Sequence, residues 1–144
     1  MIHNYYKSMS IRSLSLSAAM FVFSFSLSGC HESMEKRCAR EAREYTQKLC
    51  PAPIAKDIII DSMGFDESTL TLNYYYSLKN KLDNPNVISH SRSSMHKQLL
   101  EAIRNTTSIK SYKDNGYNFG YTYYSSSQPN VILYHIVFHK KDYK

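Results

Sequence analysis

Glycine is scarce. The chain has four in 144 residues, too few for the glycine-rich loops that wrap backbone amides around a phosphate. No Gly-x-Ser-x-Gly, His-Glu-x-x-His or Cys-x-x-Cys occurs in it, so the local signatures of serine hydrolases, zinc peptidases and thiol redox proteins are missing. The expectation is a chain without a catalytic site. Long apolar runs are missing as well. The most apolar stretch, residues 13–27 (SLSLSAAMFVFSFSL), is short and rich in serine, whereas a membrane span takes about 20 mostly apolar residues. Charge is not strongly one-sided: 18 Lys and Arg stand against 12 Asp and Glu. The surplus is dispersed, except at Lys140, Lys141 and Lys144, where a basic tail reads as a solvated end.

What is there begins with an address. Residues 1–12 carry Lys7 and Arg12 and no acid, and the uncharged run 13–27 follows them. A basic segment followed by a short apolar one is the pattern of a secretory leader. The run ends Leu27-Ser28-Gly29-Cys30. These residues resemble the lipobox of bacterial lipoproteins at every position: two small residues that fit a narrow peptidase cleft, then a thiol nucleophilic enough for a thioether. The resemblance implies that residues 1–29 are cleaved as a signal peptide. It implies a diacylglycerol on Cys30 and an N-acyl chain on the new amino group, with no other cofactor. Cys30–Lys144 would then be one lipid-anchored domain in the bacterial cell envelope. His31, in place of an Asp, implies the outer membrane, facing the periplasm. The partners expected there are the membrane itself through the anchor, an envelope protein or peptidoglycan. Nucleic acid is not among them.

With Cys30 lipidated, Cys38 and Cys50 remain as a candidate disulfide in a compartment that permits one. A continuous helix over 38–50 would hold them roughly 18 Å apart, against a limit of about 7 Å between bridged Cα atoms. A bridge therefore needs a broken helix, and two buried thiols are the alternative.

Glu32–Leu49 lacks Gly and Pro and places Met34, Cys38, Ala42, Tyr45 and Leu49 at helical spacing. Four-apart pairs (Glu32–Lys36, Arg37–Glu41, Arg40–Glu44, Glu44–Lys48) furnish its solvent face, and Pro51 and Pro53 end it. Residues 56–63 read as a strand with a turn at 64–67. Thr69–Leu78 alternates cleanly, with Leu70, Leu72, Tyr74, Tyr76 and Leu78 on one face. Residues 80–90 read as a loop, and a second helix follows from the serines at 91–94, carrying Met95, Leu99, Leu100 and Ile103. Gly116 suits a left-handed stop. Tyr117, Phe119, Tyr121 and Tyr123 form one strand face, and Ile132, Tyr134, Ile136 and Phe138 another after a turn at 125–130. The predicted order is α-β-β-α-β-β. This is an α+β domain with a four-stranded, mainly antiparallel sheet and both helices on one face.

Three readings of function follow. Tyr75 and Tyr124 fall on the predicted outer sheet face beside Asn73, Ser77 and Thr122, where rigid hydroxyl-bearing rings suit the binding of protein or glycan. A half-solvated sheet uses tyrosine for its own sake as well. A second reading is a metal or haem scavenger using His and Tyr. However, His135 and His139 on one strand lie roughly 13 Å apart and cannot share a metal at ~2 Å. The third is an envelope hydrolase using Asp57, Asp61 or Asp66 beside the first hairpin. A non-catalytic binding lipoprotein is the leading expectation.

Overall fold

The computed structural model describes residues 32–144. The leader, the lipobox and Cys30 lie outside the described residues. The first helix, α1, runs Met34–Leu49. It starts where Ser33 stands extended and its side chain accepts the backbone N–H of Lys36. That boundary revises one expected pair. Glu32 precedes the helix, so four-apart spacing does not apply to it, and it grips Arg40 at 3.0 Å instead of Lys36. The pairs Arg37–Glu41, Arg40–Glu44 and Lys48–Glu44 form as expected, at 2.7, 3.1 and 2.9 Å. All are exposed, so solvent and salt screen them and they add little to stability.

Because α1 runs unbroken to Leu49, the candidate disulfide is not made: Cys38 and Cys50 are both free thiols. Burial pushes the Cys38 thiol up to about 12, helped by nearby Glu41, so it stays protonated and inert.

Four strands were expected and five are present. The extra one, β1 (Ala52–Ala55), pairs antiparallel with β2 (Ile58–Asp66). It lies where Pro51 and Pro53 marked only the end of a helix; proline is admissible at a sheet edge, where its missing N–H faces no partner. Strand β2 also runs past the expected turn through Gly64, and β3 (Thr71–Leu78) pairs antiparallel with it. Beyond Ile60 the far edge of β2 has no strand beside it. There the Thr46 hydroxyl of α1 accepts the Met63 N–H at 2.7 Å and donates to the Met63 carbonyl at 2.9 Å. One side chain thus satisfies an edge that a sixth strand would otherwise fill.

The stretch expected as loop, 80–90, is mostly helix. After a 3-10 turn at Asn80–Leu82, α2 spans Pro85–Asn105, with the Asn84 side chain accepting the Asn86 N–H and Pro85 in the first turn. Proline at the first helical position gives up an N–H that would be unpaired anyway. Asn84→Ala is expected to cost about 1 kcal/mol. The check is the urea midpoint: an unchanged midpoint would mean that the cap contributes nothing.

A short α3 (Lys110–Asp114) ends before Gly116, which takes the left-handed φ of 77° expected of it. Strands β4 (Asn118–Ser125) and β5 (Ile132–Phe138) form the second antiparallel hairpin. The tail is not a free end. Lys140–Tyr143 forms α4, and Tyr143 is buried with its hydroxyl donating to the Tyr117 carbonyl at 2.6 Å.

Strand order follows the chain, β1-β2-β3-β4-β5. The sheet is mixed, because β3 and β4, its central pair, run parallel, from Thr71↔Asn118 to Leu78↔Ser125. A parallel pair needs a long crossover, and α2 with α3 supplies it.

Register sorts the two faces. Ile60, Leu72, Tyr76, Phe119, Tyr121, Tyr123 and Phe138 point to the helical side and are buried there. Tyr74 stacks on Tyr121 with centroids 5.0 Å apart, and Tyr76 on Tyr123 at 4.7 Å. Each is a register pair across the parallel seam. The helices pack on this face, as expected. The described residues make one compact unit with its own hydrophobic core, as an independently folding domain does. Among the described residues, no helix is long and apolar enough to cross a membrane.

Candidate functional site

The opposite face of the sheet carries no helix. Its side chains are the odd positions of β3 (Asn73, Tyr75, Ser77) and their register partners Gly120, Thr122 and Tyr124 on β4. Outward from these stand Asp61 on β2 and His135 on β5. Strand alternation alone places them. Tyr75 and Tyr124 lie on adjacent strands one register step apart, since Tyr75 pairs with Thr122 and Tyr124 with Ser77. Both rings are half-buried. The Tyr75 ring lies across Gly64, where a Cβ would sit 3.6 Å from its Cε2. Its hydroxyl is pushed above its ordinary value, first by burial and then by the neighbouring Tyr124 and Asp66. It is therefore a donor at any physiological pH.

Beside Tyr124 the face dips into an open groove of about 480 Å³. Asp61, Ser77 and Lys79 line one side, and Pro129 and Asn130 the other. The Ser77 hydroxyl donates to the Asp61 carboxylate at 2.6 Å. The rim is the serine-rich turn after β4. Asp83 holds it, accepting the Ser127 N–H at 2.7 Å. Hydrogen bonds from Ser125 and Ser127 keep the Asp83 carboxyl below its usual range. Asn130, at φ 72°, completes the turn. Sequence reasoning missed Lys79, Asp83, Pro129 and Asn130, which looked like ordinary turn residues. The only signal was the density of Ser, Asn and Pro between two strands.

Among the described residues, the histidines do not gather. His135 Nδ1 meets the Thr122 hydroxyl at 2.9 Å, His139 Nδ1 meets the Asn118 side-chain oxygen at 2.9 Å, and His90 Nδ1 meets the Asn86 carbonyl at 2.6 Å. His96 packs its ring on Phe138. Among the described residues, no three His, Cys, Asp or Glu side chains converge as a metal site would require.

The three acids proposed for hydrolysis are dispersed too. Asp57 accepts from the Asn80 side chain at 2.7 Å in the turn before β2. Asp61 faces the groove. Asp66 caps the β2–β3 turn, taking the Ser68 N–H and the Ser68 and Thr69 hydroxyls, which hold its carboxyl below the usual range. Four and five residues of strand separate them by roughly 13–17 Å. Paired carboxylates of a glycosidase stand about 5–10 Å apart, so these three do not assemble into that arrangement.

Residues 33–134 match the family described as a domain of unknown function, DUF8479. The chain belongs to that family. The matched stretch opens at the Ser33 cap of α1 and closes within β5. No curated protein matches the chain significantly. Among solved structures, this DUF8479 domain is similar to the crystal structure of a candidate secreted protein (PA3611) from Pseudomonas aeruginosa, with a TM-score of 0.65. The match covers 76% of this chain and 92% of the other at 15% identity. At that identity the likeness is one of fold. The DUF8479 fold is thus α+β, a five-stranded mixed sheet with its helices on one side.

Proposed function

We propose that this DUF8479 protein is an exported, non-catalytic bacterial lipoprotein that binds cell-wall glycan on its helix-free sheet face. Its export and its acylation at Cys30 rest on the leader and lipobox, and the outer membrane, facing the periplasm, is the site they favour. The observation that carries the binding assignment is the groove beside Tyr124. The half-buried Tyr124 ring is held rigid and still offers a flat surface for the C–H face of a sugar. Asp61, Ser77, Lys79 and Asn130 offer donors and acceptors of both kinds for hydroxyl and acetamido groups. An open, shallow groove also suits a long polymer, which must enter and leave from the side.

Purified peptidoglycan sacculi, spun down with the 31–144 segment, test the reading. The parent is expected to co-sediment. Tyr124→Ala is expected to weaken binding by about 2 kcal/mol, roughly thirtyfold, the usual effect of truncating a central aromatic. Equal sedimentation of parent and variant would remove the groove from consideration. Failure of the parent to sediment would redirect the search to an envelope protein on the same face.

A further inference from the structure

The helical side of the sheet holds a second concavity, unrelated to the groove. Helix α1 lies over β2, and α2 lies toward β5. Between α1 and the α2–α3 turn opens a half-enclosed cleft of about 380 Å³. Its walls are apolar, with Ile54, Ile60 and Leu72 on the sheet side and Ile109 at the mouth. Its floor is the tyrosine ladder, entered through Tyr74 and Tyr76.

The hydroxyls of that floor are the decisive feature. Of the other core tyrosines, three have a protein partner for the hydroxyl: Tyr112 donates to Glu41 at 2.6 Å, Tyr117 to Glu35 at 3.1 Å, and Tyr143 to a backbone carbonyl, while Tyr134 has the Arg92 guanidinium over its ring. Tyr74, Tyr76, Tyr121 and Tyr123 make no such bond among the described residues. Tyr76 keeps only 7% of its surface exposed and Tyr123 6%. A polar group that deeply placed is ordinarily paired. No side-chain polar atom sealed from solvent lacks a partner in this domain. The unpaired hydroxyls are therefore not sealed, and Tyr74 and Tyr76 are the two ladder rings that line the cleft. Burial, and then the crowding of one hydroxyl by the next, pushes the Tyr76 and Tyr121 phenols well above their ordinary value. They remain protonated and act as donors.

The cleft's charge is equally selective. Glu41 is its acidic lining group, and no Lys or Arg lines it. An anion therefore meets a carboxylate and no counter-charge. A cation gains little, because the Glu41 carboxylate is already engaged by Arg37 Nε at 2.7 Å and by the Tyr112 hydroxyl.

We infer that this cleft is a binding site for an uncharged, largely apolar small molecule bearing a carbonyl-type oxygen, which the Tyr74 and Tyr76 hydroxyls hydrogen-bond while the aliphatic walls take up its hydrocarbon. The carbonyl end lies on the ladder and the hydrocarbon lies toward Ile54 and Ile109. Burial of the apolar part drives association, and the hydroxyls fix the orientation.

Nile red, an uncharged aromatic carbonyl compound whose emission shifts to the blue in apolar surroundings, is the probe. Titrated with the 31–144 segment, it is expected to bind saturably at one site. Ser108→Trp, which places an indole at the exposed mouth, is expected to weaken binding at least tenfold. Tyr76→Phe keeps the ring ladder and removes one donor, and is expected to weaken binding about fivefold. Both variants are checked for cooperative melting before titration. Unsaturable binding by the parent, or unchanged affinity in Ser108→Trp, would overturn the site. Parental affinity in Tyr76→Phe would overturn the hydroxyl assignment whatever the other variant does.

Discussion

Exchanging Cys30 for serine is expected to abolish acyl anchoring of the protein altogether. Serine has no sulfur for the thioether and its hydroxyl is too poor a nucleophile to take the glyceride as an ether, so none is attached and a lipobox-dependent peptidase has no substrate. Each buried methylene contributes about 0.8 kcal/mol, so two or three acyl chains hold a protein of this size almost irreversibly. Among the described residues, no helix is long and apolar enough to cross a membrane. The measurement is fractionation of cells expressing parent and C30S, with the mass of the N-terminal peptide read in parallel. The parent is expected in membranes with a peptide beginning at an acylated Cys30, and the variant without acyl mass in the soluble fraction or as uncleaved precursor. An unmodified Cys30 in the parent would end the lipoprotein assignment.

Phe119→Ala is expected to be the most damaging single change to the fold. Phe119 has no exposed surface, sits at the start of β4 on the helical side, and is in register with the equally buried Phe138. It also meets Tyr143 edge-on, with centroids 5.5 Å apart. Removing the ring therefore undercuts the β4–β5 hairpin and the α4 closure together. Truncations of this kind cost about 3–5 kcal/mol, a large share of the 5–15 kcal/mol typical of a whole domain. For a domain of this size that corresponds to a fall in Tm of roughly 15 °C. A fall below about 5 °C in a melting curve would show that the site collapses around the missing ring and that Phe119 is not central.

The faces of β3 and β4 were legible in the sequence because their period is two and one face is buried, whereas in β5 a register shift near Tyr124 leaves Ile132 exposed and Leu133 buried. Leu72, Tyr74, Tyr76 and Leu78, and Phe119, Tyr121 and Tyr123, all lie on the side their alternation indicates. Helix α1 was legible from its stripe. What escaped was non-local or doubly readable. Pro51 and Pro53 end a helix and equally admit an edge strand. Asn84-Pro85 reads as a turn until a helix is seen to start on it. The parallel pairing of β3 with β4 leaves no trace in either strand, because neighbours in a sheet are chosen by the whole chain. The outer positions of Tyr75 and Tyr124 were legible from alternation, whereas the groove depends on Asp83 reaching Ser127 across the fold. The cleft was hidden for a related reason. Tyr74 and Tyr76 read as core rings, and only the spacing of helices above them reveals which hydroxyls lack partners.

The parallel seam also dictates how the molecule comes together. Each hairpin is made of near neighbours in the chain and can form early by itself. Their mating has to wait until the entire segment from Leu78 to Asn118 has wound into place, the most distant strand pairing in the sheet. Until then Leu72, Tyr76 and Phe119 face water, so the half-assembled chain is at its stickiest one step before completion. The phenol stacks of Tyr74 on Tyr121 and Tyr76 on Tyr123 span that seam, so an optical signal from those rings is expected to report its closure.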